Sequence, residues 1–595
     1  MNARRCFLCA GAALLFAVAS FLGSAADALT DARSDVQLRA MLDELARAKT
    51  LKLNDLDKPY FVQYVSNDAD QLIITASLGG LLGATHARFR QPRVDVRIGD
   101  YKFDNTNSIY TSNARLGPLP IDDDYQALRT DLWLSADALY KLAAGEIVRK
   151  RSALNEIAEP DKTPDFSSVT PAKNIQPLVT LKLDEKHWED VVRQISARFT
   201  AHPEVVDSHV RLRSIETNYR VVNTEGTVVR IPEELNDIAI IASGLAPDGS
   251  RVWNHRFLTE LHFSELPKEQ ELSKAAETVA AETEALAKAP WAENYSGPVL
   301  FEQEAAAELM ADILTDAIRL QRKPLAPPGS ENSGSQMPIE SVWASRVGSK
   351  VTPDWMSIDD NPVEEQFQGK PLAGHYAFDD EGVAAQHVTI VEKGVLKGFL
   401  SSRLPVGEVA ASNGHGRLPG GWGAEAAVVG NLFVRASEAV PEAQLKARLV
   451  EKVKAANLKY GVVIRRLDFP STANFQELQS IARQLQKNGY ARTANVPLLA
   501  YRVYPDGHEE LVRGWRFREF SAKDLRDVAA ASDRPYVLNY VNNGSSFNLA
   551  DAGSDATTSS VICPSLLFDN IDLSRSEEEA GRLPIVPPPA LLSTP

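Results

Sequence analysis

The sequence predicts an α+β protein, and three observations predict it. At 595 residues the chain is too long for one hydrophobic core, so two or more domains are expected. Runs of β-branched and aromatic residues, separated by Gly, Pro, Asn and Asp, recur as strand–turn–strand units without a fixed repeat. Between them lie stretches with apolar residues three and four apart, the spacing of a helix that buries one face.

Composition narrows the class. With 44% hydrophobic and 24% charged residues the chain is of ordinary globular type. A formal charge of −15 argues against nucleic-acid binding, which requires a basic face. Residues 1–28 read as a signal peptide: basic Arg4-Arg5, an apolar run from Cys6 to Leu22, then small residues Gly23 to Ala26. The Arg4-Arg5-Cys6-Phe7-Leu8 order also suits a twin-arginine signal, so the protein is expected to be exported, periplasmic or secreted, by either route. The chain left after cleavage has one cysteine, Cys563, and forms no internal disulfide; no later stretch is apolar for long enough to span a membrane.

Taken in order, the first helix is Val36 to Ala48, with Leu38, Met41, Leu42 and Leu45 on one face. Strands Tyr60–Val65 and Gln71–Ser77 flank an Asn67-Asp68 turn, and Ala87 to Val96 is the next strand. Tyr125 to Arg149 is helical and broken near Ser135-Ala136-Asp137, which can cap a second helix. Prolines 160, 164 and 171 mark a linker or surface loop from Ala158 to Ile175. A helix at Trp188–Phe199 precedes strands at 210–218, 219–223, 227–231, 238–243 and 252–257, and Glu269 to Ala287 is a long helix with much of its surface wet. The second half starts near Glu293, with a strand at 297–301, a helix from Gln303 to Leu320, and a Pro/Gly/Ser loop, Lys323 to Met337, of a length that suggests a mobile functional loop. Helix Glu442–Asn457, strand Gly461–Phe469, a hairpin around Pro505-Asp506-Gly507, a last helix Ala522–Ala530 and a last strand Ser560–Leu567 follow. Residues 571–595 read as a Pro-rich extended tail.

The most informative run is Gly374 to Leu400. An acidic corner, Asp379-Asp380-Glu381-Gly382, precedes a strand, His387–Val391; a turn at Glu392-Lys393-Gly394 returns the chain as Val395–Leu400. Glycines at 382 and 394 suit positive φ. This run, with Asn413-Gly414-His415-Gly416-Arg417 and Asn431-Leu432-Phe433-Val434 in the same order and spacing, resembles the TldD/PmbA modulators of gyrase, a family of peptidases and peptidase-like subunits. Arg97, Gly99, Asp100, Tyr101, Asp104, Asn105 and Thr106 resemble a motif of its longer, exported branch; read without that resemblance, they are a sheet edge with polar turns.

The resemblance implies an N-terminal α/β domain over residues 29–290 and a C-terminal domain over 291–570 rich in antiparallel strands. It implies dimers, homodimeric or with a zinc-bearing paralogue, that admit unfolded or extended peptides. Catalytic relatives carry HExxxH on a helix, where two histidines bind zinc, the glutamate takes a proton from the metal-bound water, and a distant cysteine completes the site. Here the lead-in Gly297-Pro298-Val299-Leu300 and Glu304 to Leu309 matches, but the motif positions read Ala311, Asp312 and Asp316. Asp312 stands at the glutamate position, the histidine positions Ala311 and Asp316 do not match, and alanine ligates nothing, so no metal site is assigned and zinc is expected only in catalytic relatives. The cysteine position aligns near Asn548 to Asp551, and Cys563 reads as a packed strand residue.

Two alternatives stay open at this level. Glu308, Asp312 and Asp316, at i, i+4 and i+8, share a helix face and could hold a hard cation, although a solvated face is the preferred reading. His375, His387 and His415 could supply nitrogen ligands, although a structural or exposed role is preferred. The expected function is that of an exported metallopeptidase-related protein with a degenerate zinc site, dependent on a zinc-bearing partner. The alternatives are a non-catalytic peptide-binding or structural protein and an independent carboxylate–cation hydrolase.

Overall fold

The computed structural model describes residues 34–52, 56–112, 116–158, 161–330, 340–419, 423, 425–469, 494–542 and 557–576. The signal peptide, part of the 323–337 loop, residues 548–551 and the tail beyond 576 lie outside the described residues.

Two sheets organise the chain, and the α+β class holds. The first is built from β1 (Pro59–Ser77), β2 (Gly80–Ile98), β3 (Lys173–Ile175), β4 (Val205–Asn223), β5 (Val228–Leu245) and β6 (Arg251–Glu260). Its order is β2-β1-β4-β5-β3, with β6 on β5, and only β3 runs parallel to its neighbour. One face carries two helical layers. Helices α1 (Val36–Ala48) and α2 (Tyr125–Leu154) pack on Val62, Tyr64, Val94 and Val96. Helices α3 (Glu185–Ser196) and α4 (Glu269–Lys288) pack on Leu72, Ile74, Leu212 and Ile240.

The second sheet has twelve strands. Ten of them are β7 (Tyr295–Phe301), β8 (Met356–Asp360), β9 (Val388–Glu392), β10 (Val395–Leu396), β11 (Asn431–Ala436), β12 (Gly461–Leu467), β13 (Pro497–Val503), β14 (Glu509–Val512), β15 (Val528–Asn542) and β16 (Thr557–Arg575), in the order β10-β9-β8-β11-β16-β7-β12-β13-β14 with β15 on β16. Strand alternation divides its faces: Val299, Phe301, Val462 and Ile464 join the core around α5 (Gln303–Thr315), whereas Leu300, Val463 and Leu567 face Leu445 and Leu449 of α6 (Glu442–Ala455).

Several expectations are corrected, mostly for one reason. Asn67-Asp68 is not a turn; β1 runs through it, because Asp68 is buried and accepts from Gln37 Nε2 (2.6 Å) and Arg90 Nη2 (3.2 Å). Likewise 210–223 is one strand, 228–245 is one strand, and α2 continues through Ser135-Ala136-Asp137. The expected last helix is a 3-10 turn, Ala522–Asp527, leading into β15, and residues 571–575 complete β16 rather than begin a tail. Residues 161–172 are irregular, yet Asp165, Phe166 and Ser167 are buried in them, and residues 173–175 pair with β5 as β3. No helix among the described residues is long and apolar enough to cross a membrane.

Candidate functional site

Helix α5 stands where the zinc helix is expected. Small residues at Ala305, Ala306, Ala307 and Ala311 let it lie close to the second sheet, and it is buried on nearly every side. This overturns the solvated-face reading: Glu308 is 3% exposed and Asp312 is 2% exposed. Each answers a backbone donor. Glu308 Oε2 accepts the N–H of Leu467 at 2.7 Å, and Asp312 Oδ2 accepts the N–H of Asn495 at 2.7 Å. These donors sit where the β12–β13 ladder becomes irregular, beyond Arg466, and a buried N–H without a partner is costly. Asp316, at the end of the helix, bonds Arg319 instead.

Burial drives the Glu308 carboxyl well above its ordinary range, Glu304 adds to that, and the Leu467 N–H and Arg466 oppose it. Arg466, 4% exposed, is itself held by Glu282 and Asn254, at 3.0 Å each, and by Glu304 at 3.4 Å. The residues at the family's ligand positions therefore do not fit zinc. Ala311 is packed in the core, and Asp312 and Asp316 hold separate partners. Among the described residues no three His, Cys, Asp or Glu side chains group as a metal centre. Cys563 is fully buried in β16, where burial pushes its thiol far up in pKa, so it is held as the thiol.

The three histidines converge on one stretch, though not on one point. His387 Nε2 meets Asp359 Oδ2 at 3.1 Å, His415 Nε2 meets Asp360 Oδ1 at 3.1 Å, and His375 Nδ1 meets the Pro362 carbonyl at 2.9 Å. Each ties a different segment to the end of β8, and His415 does so with no exposure at all.

The acidic corner is a second cluster. Asp379 Oδ1 accepts the N–H groups of Glu381 (3.0 Å) and Val383 (2.9 Å), and its Oδ2 accepts that of Gly416 (2.9 Å). Gly382 has φ +74°, and a Cβ there would lie 2.7 Å from Thr227 Cγ2 of the first sheet. Arginines surround the corner, and of these Arg403 was not singled out from the sequence. Arg403, fully buried, donates to the Ser167 carbonyl (2.7 Å) and Glu225 (2.8 Å), and Arg417 donates to Glu233 (3.0 Å). Phe166 lies under two guanidinium groups, Arg97 at 3.8 Å and Arg403 at 3.9 Å. Arg97 does lie on the edge strand β2, but the turns after it are not a wet surface: Asp104, Asn105 and Thr106 are buried, and Asp104 accepts from Arg97 Nη1 at 3.2 Å.

Known proteins share the fold and parts of the sequence. A profile of the PmbA/TldA metallopeptidase C-terminal domain matches residues 294–474. A metalloprotease of Methanocaldococcus jannaschii is 36% identical over 83 residues, 14% of this chain and 17% of the relative. One of Methanothermobacter thermautotrophicus is 22% identical over 200 residues, 33% of this chain and 39% of the relative. The matched stretches thus cover well under half of these relatives' length. Among solved structures, a protein described as a modulator of a DNA gyrase from Thermotoga maritima superposes with TM-score 0.53 at 15% identity, over 86% of this chain and 96% of that one. TldE from Thermococcus kodakarensis does so with TM-score 0.53 at 12% identity, over 90% and 100%. At such identities the likeness speaks for the fold.

Proposed function

Because the chain belongs to the TldD/PmbA family, we propose that it is an exported, metallopeptidase-related subunit that binds extended peptide and relies on a zinc-bearing partner subunit for cleavage. One observation carries the reading. The two acidic side chains at and before the motif, Asp312 and Glu308, are spent as buried caps on the Asn495 and Leu467 amides, and Ala311 offers no ligand. A carboxylate that polarises a metal-bound water must turn an oxygen to that water, and here one oxygen of each is held by a backbone amide. The same commitments weigh against an independent hydrolase built on a hard cation, since both carboxylates would first have to abandon those amides. Export rests on the N-terminal segment, and the partner and peptide rest on the family likeness.

The test is purification of the native complex without chelators, with its zinc measured and its chains identified. The expected result is zinc in proportion to a co-purifying chain that contains HExxxH, and no peptide hydrolysis by this chain alone. Peptide hydrolysis by the isolated chain would refute the proposal. A homodimer that binds peptide with no such partner would instead favour a non-catalytic binding protein.

A further inference from the structure

The acidic corner joins parts of the molecule that are far apart in sequence. From the C-terminal half come Asp379, Asp380, Glu381, Arg403, Arg417 and Glu425. The first sheet and its connections face them with Arg93 and Arg97 (β2), Tyr219 (β4), Glu225 and Thr227 (the β4–β5 turn), Glu233 (β5), and the buried Asp165–Ser167 strap. Tyr219 Oη donates to the Asp380 carbonyl at 3.3 Å, and Arg93 pairs with Glu425 at 3.3 Å. Glu381 Oε2 accepts the N–H of Arg403 at 2.7 Å, while the guanidinium of that same residue reaches across to Glu225. Tyr376, whose hydroxyl donates to the Gly414 carbonyl, closes the cluster from its own side, under Arg417.

The charges in this interface do not balance. Asp379, Asp380, Glu381, Glu225, Glu233 and Glu425 face Arg93, Arg403 and Arg417; Arg97 is already matched by Asp95 and Asp104. A buried contact with surplus carboxylates closes most easily when some of them carry protons. We propose that the acidic corner is a proton-dependent lock between the first sheet and the C-terminal half, closed while Glu381 and Asp380 hold protons and loosened as those protons are lost.

The proton distribution follows from the hydrogen bonds. Burial raises Asp379 too, to about 7, but its three backbone N–H donors favour its anion, whereas Glu381 accepts one such donor and lies beside it. Burial, and then the Asp379 charge, push Glu381 up; burial pushes Asp380 up to about 7, with Arg417 and Arg93 opposing. The sign is that of a carboxylate with a raised pKa in the closed state. The closed state binds the proton more tightly than the open one, so its advantage is full below the ordinary glutamate range and falls as pH rises through neutrality. This inference does not depend on peptide binding or on a partner.

Hydrogen exchange followed by mass spectrometry, corrected for intrinsic rates, tests it on the full chain. Between pH 6 and pH 8.5, protection in peptides covering 163–168, 225–233 and 376–384 should fall by about tenfold or more, while peptides of β16 keep theirs. Glu381→Gln, which keeps an acceptor for the Arg403 N–H and carries no charge, should remove most of that fall. Equal pH dependence in the lock and in β16 of the unmodified protein overturns the proposal without recourse to any variant. So does an unchanged slope in Glu381→Gln.

Discussion

Helix α5 and the acidic corner both bury carboxylates, and they manage the cost differently. In α5, Glu308 and Asp312 each accept a backbone amide from the same half of the molecule, and Arg466 bears on Glu308 through its charge. In the corner, carboxylates meet arginines across a boundary between the two sheets, and the guanidinium groups also stack on Phe166 and Tyr376. The first arrangement fixes the backbone where two strands part. The second fastens one half of the protein to the other and leaves surplus negative charge in the seam. At the family's glutamate position the carboxylate is thus placed to cap a backbone amide.

The comparison breaks most visibly at Arg403. Arg403→Ala takes the guanidinium from the Ser167 carbonyl and from Glu225, which keeps the Tyr101 hydroxyl, and should cost about 3–5 kcal/mol in urea unfolding. A loss below about 1 kcal/mol would mean that the seam is solvated. Asp312→Ala should cost less, about 1–3 kcal/mol, because it leaves the Asn495 amide without its acceptor. Smallest is Arg435→Ala on β11: its Asp359 pair, 2.9 Å apart, is half exposed, and the change should stay within about 1 kcal/mol. Should Asp312→Ala prove as mild as Arg435→Ala, the capping role assigned to α5 would fail.

What the sequence made legible was local. The β9–β10 hairpin was readable because Gly394 must take positive φ, and it does, at +81°. The β13–β14 hairpin was readable from Pro505-Asp506-Gly507, and α6 from its periodicity. What stayed hidden depended on partners distant in sequence. Asp68 looked like a turn residue until Arg90 and Gln37 arrived beside it, and the proline-marked strap looked like a wet linker until Lys150 met Asp165 at 2.5 Å. In the site, the loss of HExxxH was legible residue by residue. The burial of Glu308 and Asp312 was not, because an i, i+4, i+8 row of acids has the spacing of a solvated face, and only the strands packed against it reveal otherwise.

The central claim is that Asp312 is a backbone cap and not a remnant metal ligand. Zinc bound to the isolated chain, measured beside amide exchange at Asn495 in the unmodified protein and in Asp312→Ala, tests it most directly. The account predicts no stoichiometric zinc in either protein, with faster exchange at Asn495 in the variant. Stoichiometric zinc that disappears in Asp312→Ala, with Asn495 exchange unchanged, would contradict it.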